Sequence, residues 1–241
     1  MRVRACVLIA ALAAAGALGG CSGSSGGNAP AAAGTAAAPA NPRATDDLNT
    51  YRELLRIGND QLATTMGHQI EDRYPGSAAA KEVAQSLPRI EARYLANAEK
   101  NRLAALWTYQ TAPMAGGIQS TAAIFNSTPT DIEHVRLVLR KHTSWGQSVF
   151  LYGSGKGFVC KGVCTLAASF DGKRHPLKAY LPPTGEPAIF IKDDVGFIAA
   201  LRKAKKIVIP VVLKDGDRKV DLLYEVGGYD PAKWVAVKLG K

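Results

Sequence analysis

The chain has 241 residues, 47% of them apolar, and carries 30 Lys and Arg against 20 Asp and Glu, a formal net charge of +10. That length suits one or two small domains. Past the amino terminus no apolar run approaches the eighteen or so residues of a transmembrane helix, so a helical membrane span is excluded there.

Arg2 and Arg4 precede an apolar stretch, Ala5 to Leu18, that is too short for a comfortable span, and Leu18-Gly19-Gly20-Cys21 follows at once. This order resembles the signal peptide and lipobox of bacterial lipoproteins. The resemblance implies that residues 1–20 are a signal peptide removed before Cys21, and that the Cys21 sulfur carries a diacylglyceryl group. Each buried methylene contributes roughly 0.8 kcal/mol, so several acyl chains give lasting attachment where one does not. Ser22 beside the modified cysteine resembles the delivery signal of outer-membrane lipoproteins in Gram-negative bacteria. The implied address is the periplasmic face of the outer membrane.

Residues 21–45 are small, rich in Gly, Ala and Pro, and almost uncharged, the composition of a flexible tether with a span on the order of 25–30 Å. Residues 46–106 then read as a helical hairpin. Thr45 or Asp46 can cap a first helix, and Leu48, Tyr51, Leu55, Leu62, Met66 and Ile70 recur at helical spacing, with Gly58 interrupting the face. Arg73-Tyr74-Pro75-Gly76-Ser77 is a break, and Ser77 can cap a second helix whose apolar face holds Val83, Leu87, Ile90 and Tyr94. Pro88 should kink that helix or end its first segment. Residues 72–90 resemble the turn and second helix of one tetratricopeptide-type unit, without a second copy, so no peptide-binding solenoid is expected.

Residues 107–241 read as a β-rich domain. Thr121–Phe125, His134–Leu139, Ser148–Tyr152, Phe158–Cys160, Thr165–Phe170, Leu177–Leu181 and Ala188–Lys192 are short strand-like runs separated by turn residues. Asp193-Asp194 can cap a helix carrying Val195, Phe197, Ile198 and Leu201. Ile207–Leu213 and Lys219–Val226 flank Lys214-Asp215-Gly216-Asp217, a hairpin signal. The expected class is α+β: a helical hairpin followed by a mainly antiparallel sheet with one packed helix.

The segments VRLVLR (135–140), GFVCKGVC (157–164), FDG (170–172), FIAALRKAKKIVI (197–209) and LLYEVGGYDPAKW (222–234) resemble the C-terminal β domain of exported proteobacterial proteins described as type VI secretion-associated or invasion-associated. The resemblance covers about half the chain and rests on structural punctuation. Met114-Ala115-Gly116-Gly117 departs from it, because the acidic residue expected there is absent.

After export Cys160 and Cys164 are the remaining cysteine pair, and a disulfide between them is expected. A redox dithiol has two intervening residues at a helix start, whereas these flank Lys161-Gly162-Val163 between strand-like runs, so a structural staple is favoured. Gly153-Ser154-Gly155-Lys156-Gly157 lacks the Ser or Thr and the helix of a phosphate loop, and Gly146-Gln147-Ser148-Val149-Phe150 has Phe where a nucleophile elbow needs Gly. His68, His134, His142 and His175 form no metal-ligand spacing, and Asp171 and Asp194 read as a turn residue and a helix cap. No catalytic group, metal or cofactor is expected.

The charge is uneven: residues 21–130 hold nine cations and nine anions, residues 131–241 nineteen and eleven. Arg202, Lys203, Lys205, Lys206, Lys214, Arg218 and Lys219 form the candidate binding cluster, weighed against a merely solvated face. Without interleaved aromatics, and with export, nucleic acid is not expected. The expected function is a non-enzymatic envelope lipoprotein, a binding or accessory module for a periplasmic protein or an anionic envelope polymer. The alternatives are a type VI secretion-associated accessory protein, a periplasmic hydrolase or a lysozyme inhibitor. A lysozyme inhibitor must meet a basic enzyme, so the basic C-terminal region argues against it.

Overall fold

Helix α1 (Pro42–Arg56) begins where the chain supplies a cap and a pre-set backbone. The Asn41 side chain accepts from the Arg43 N–H, and Pro42 takes the first helical position. The computed structural model describes residues 41–127, 134–153 and 155–237; the expected signal peptide and Cys21 lie outside them. The helix starts four residues before Asp46, inside the stretch read as tether, because Asn41-Pro42 is the stronger start signal.

The helical region contains three helices, not a two-helix hairpin. Gly58 takes a left-handed backbone (φ +72°), and the Asn59 N–H returns to the Leu54 carbonyl, which closes α1. Asn59 then caps α2 (Asp60–Arg73), and Ser77 caps α3 (Ala78–Ala105). The break resets the helical phase: Leu62 is exposed, while Ala63, Gly67 and Ile70 pack inward. Pro88 neither ends nor divides α3. It lies on the exposed side, as does Ala84, whose carbonyl would have met the missing N–H, so water can serve that carbonyl.

The strands are β1 (Trp107–Met114), β2 (Gly117–Phe125), β3 (Arg136–His142), β4 (Gly146–Tyr152), β5 (Val163–Leu166), β6 (Ser169–Phe170), β7 (Lys173–Arg174), β8 (Leu177–Tyr180) and β9 (Ala188–Ile191). Helix α4 (Asp194–Leu201), β10 (Ile207–Leu213), β11 (Arg218–Tyr224) and the short 3₁₀ helix η1 (Val226–Gly228) follow. Every pairing is antiparallel. The larger sheet runs β1-β2-β3-β4-β9-β8-β5 and the smaller β11-β10-β6-β7. The α+β class expected from the sequence is the class observed.

Alternate residues of the larger sheet (Ile124, Leu137, Leu139, Val149, Leu151, Ile189) face alternate residues of the smaller one (Ile207, Ile209, Val211, Leu222). Phe197, Ile198 and Leu201 of α4 join them in one buried cluster. The α4 cap is Asp193, whose carboxylate accepts from the Gly196 N–H.

Two strand expectations change. The run Thr165–Phe170 is divided between sheets, β5 in the larger and β6 in the smaller, with the chain crossing at Ala167-Ala168. Phe158–Cys160 forms no strand: Phe158 makes one bridge to Leu213, and the Val159 N–H donates to the Val212 carbonyl. Between that bridge and β6, Pro210 occupies a gap along β10. Val212 and Lys214 bond toward the same side, so the two-residue period puts the N–H that Pro210 lacks into the gap.

Candidate functional site

The face of the larger sheet that points away from the core is built in cross-strand rows. The central row pairs Ala123, Val138, Phe150, Phe190, Tyr180 and Val163 across β2, β3, β4, β9, β8 and β5. Phe150 stacks on Phe190 (4.8 Å between ring centres), and Phe190 on Tyr180 (5.7 Å). One row over, Arg136 lies between Phe125 and Tyr152; on the other side Arg140 pairs with Thr121 and Ser148. An apolar stripe is thus bordered by an arginine on each flank.

Both guanidinium groups lie over rings. Arg140 stands 5.0 Å from the Phe150 ring centre, 5.2 Å from Trp145 and 5.7 Å from Phe190, and its Nε donates to the Ser148 hydroxyl at 3.0 Å. Arg136 is 5.5 Å from Phe125 and 5.8 Å from Tyr152. Among the described residues no carboxylate comes within 4.0 Å of either arginine. Burial holds Arg140 below its ordinary range, against the opposing pull of Glu186 and then of Tyr180. A cavity of about 390 Å³ opens on this face, lined by Arg136, Arg140, Val138, Phe150, Tyr152 and Glu186 among others. Phe125, Trp145, Tyr152 and Tyr180 are all at least 36% exposed, which leaves aromatic surface in water beside the two cations.

His142 fixes one edge of this face. It is fully buried and stacks on Trp145 (3.8 Å, 16° between planes). Its Nδ1 accepts from the N–H groups of Ser144 (3.1 Å) and Trp145 (3.2 Å), so the ring proton resides on Nε2, which donates to the Met114 carbonyl at 2.9 Å. The β3–β4 turn is thereby locked to the β1–β2 hairpin, and Trp145 is presented toward Arg140.

Cys160 and Cys164 are disulfide-bonded, with their Cα atoms 5.6 Å apart. The bond does not staple a hairpin, because Cys160 lies outside any strand. It joins the segment laid along β10 of the smaller sheet to β5, the edge strand of the larger.

The expected basic cluster is not one patch. Arg202, Lys203, Lys205 and Lys206 follow α4, whereas Lys214, Arg218 and Lys219 lie at the other end of β10 and β11, on the order of 25 Å away at strand rise. Asp171 (φ +48°) accepts from the backbone N–H groups of Lys205 and Lys206, two bonds at 2.8–2.9 Å, which orders this corner without using either ammonium group. Lys206 acts on Glu99 and Glu225, both of which hydrogen-bond Arg102, so anions face part of the first group. In the second group Asp215 pairs with Lys156 at 3.9 Å.

Among the described residues no group of three or more His, Cys, Asp or Glu could hold a metal ion, and no helix is long and apolar enough to cross a membrane. Comparison with protein-family models, curated proteins and solved structures gives no match.

The arginine–aromatic face escaped sequence reasoning although a signal for it was present. Val-Arg-Leu-Val-Leu-Arg (135–140) and Val-Phe-Leu-Tyr (149–152) are too apolar for strands with one watery side, and such strands normally have both faces covered.

Proposed function

We propose that this chain is a lipid-anchored, non-enzymatic binding or accessory module of the cell envelope, which holds an anionic partner on the outer face of its larger sheet. The observation that carries the reading is Arg140: a half-buried cation among three aromatic rings, without a carboxylate in contact among the described residues. Taking a guanidinium out of water costs free energy that ring contacts only partly return, and a bound anion would complete the compensation. The lipobox resemblance at Cys21 supplies the anchor, and the tether would let the face sample a shell around the membrane.

Two measurements test this. Labelled palmitate should appear on the wild-type chain and not on Cys21→Ser. The Cys21→Ser chain, kept in detergent, should co-sediment with delipidated envelope fragments in a salt-sensitive way, and adding Arg136→Gln and Arg140→Gln should remove most of that association. Label on the serine variant would overturn the anchor, and sedimentation indifferent to the arginines would overturn the site.

A further inference from the structure

We infer that the partner on this face is an amphipathic helix of another protein, with carboxylates along both borders of its apolar side; this rests on the reading that the face takes an anionic partner. The geometry of the rows carries the inference. The apolar row crosses six strands, hence five interstrand steps, or about 24 Å, the length of about sixteen helical residues. Arg136 and Arg140 are four residues apart on β3, about 13 Å, one on each side of that row. A helix with its side chains is roughly 10–12 Å across, so one lying along the row fits between the two guanidinium groups. Glutamates on its two borders would then reach one arginine each, in charge-assisted and often bidentate pairs.

The row itself favours a protein over a polysaccharide. Ala123, Val138 and Val163 offer nothing to a sugar hydroxyl, which would lose hydrogen bonds on contact. Phe150 and Val138 are only 9% and 8% exposed, so their surfaces suit side chains that fill shallow hollows better than a polyol strand. Residues 22–41 contain no charged side chain, so that stretch has no carboxylate to offer the two arginines. Apolar anchors from a helix at i, i+3, i+4 and i+7 match a continuous stripe of this kind.

The test uses the purified full-length chain in detergent and three labelled synthetic peptides of about sixteen residues. One has a leucine face bordered by glutamates, one the same face bordered by lysines, and one keeps the glutamates with serine for leucine. The glutamate–leucine peptide should bind at least about ten-fold tighter than either control, since one control loses the charge-assisted contacts and the other the apolar anchors. Arg136→Gln and Arg140→Gln should each weaken it about ten-fold. Val163→Glu, at a position 54% exposed and harmless to the core, should do the same with unchanged thermal unfolding. Equal binding of the lysine peptide would overturn the inference. Arginine-dependent binding of heparin without binding of the glutamate–leucine peptide would also overturn it while leaving the anionic-face reading intact. Self-association abolished by the arginine substitutions would assign the face to a second copy and overturn it too. Peptide binding indifferent to both arginines would overturn the inference and the reading beneath it together.

Discussion

The guanidinium carbon of Arg140 lies 5.0 Å from the centre of the Phe150 ring on the neighbouring strand, and that ring is only 9% exposed. A cation over a sheltered ring gains about 1–2 kcal/mol, and the partial desolvation of the half-buried guanidinium offsets that gain. The charge is therefore not there to stabilise the fold. Arg140→Met, which keeps the stem and drops the charge, should leave stability in urea unchanged or raise it by up to about 1 kcal/mol. A loss beyond that would mean the guanidinium is structural.

Gly228 and Leu103 meet where η1 passes the end of α3. A β-carbon on Gly228 would stand 2.2 Å from both the carbonyl carbon and oxygen of Leu103. Gly228→Ala should cost about 2–3 kcal/mol, because backbone on both sides must move. Gly216→Ala, in the β10–β11 hairpin, would place a β-carbon in ordinary contact with the Arg218 side chain at 4.0 Å, so its left-handed backbone is the main penalty and it should cost about 1 kcal/mol. Chemical denaturation of the two variants checks the order.

Alkaline pH should weaken the fold through tyrosine. Burial pushes the Tyr229 phenol up to about 12, against the opposing effect of Arg202, and drives the fully buried Tyr224 well above its ordinary range. A group whose folded pKa is raised contributes stability that is intact below its unfolded pKa, near 10. That contribution is lost as pH rises toward the folded value. Melting temperature should therefore hold up to about pH 10 and fall between there and about 12, and Tyr229→Phe should flatten the fall. A melting temperature flat through that window would contradict the assigned burial.

The disulfide spans a sequence separation of 4, so it constrains little unfolded chain. Replacing Cys160 and Cys164 with Ser should lower stability by about 2 kcal/mol and leave the fold intact. Because the bond links β5 to the segment along β10, the change should raise amide exchange chiefly in Val163–Leu166. Exchange rising uniformly across both sheets would contradict this local assignment.

Local punctuation was legible in the sequence: the Ser77 cap, a cap within Asp193-Asp194, the β10–β11 hairpin, the strand character of β3 and β4, and the cysteine pair all follow from short-range chemistry. What escaped depends on partners distant along the chain. The β1 strand was not among the runs read from the sequence, because Thr-Tyr-Gln-Thr-Ala lacks apolar alternation; its register comes from pairing with β2 through the left-handed Ala115-Gly116 turn. The transfer between sheets after Leu166 has no local signal at all. The seven basic residues looked like one cluster because β10 and β11 are adjacent in sequence, yet an extended strand puts its ends far apart. Arg136 fell within a run read as a strand and Arg140 one residue past its end, and only cross-strand register places both beside the aromatic rings of neighbouring strands.

On the proposed function the two arginines of β3 hold an anionic partner. The decisive measurement is the affinity of the Cys21→Ser chain, kept in detergent, for isolated envelope fragments, with and without Arg136→Gln and Arg140→Gln at two salt concentrations. Substitution should cost at least about ten-fold in affinity and leave a weaker salt dependence in what remains. Equal affinities at both salt concentrations, in variants that unfold like the parent, would contradict it.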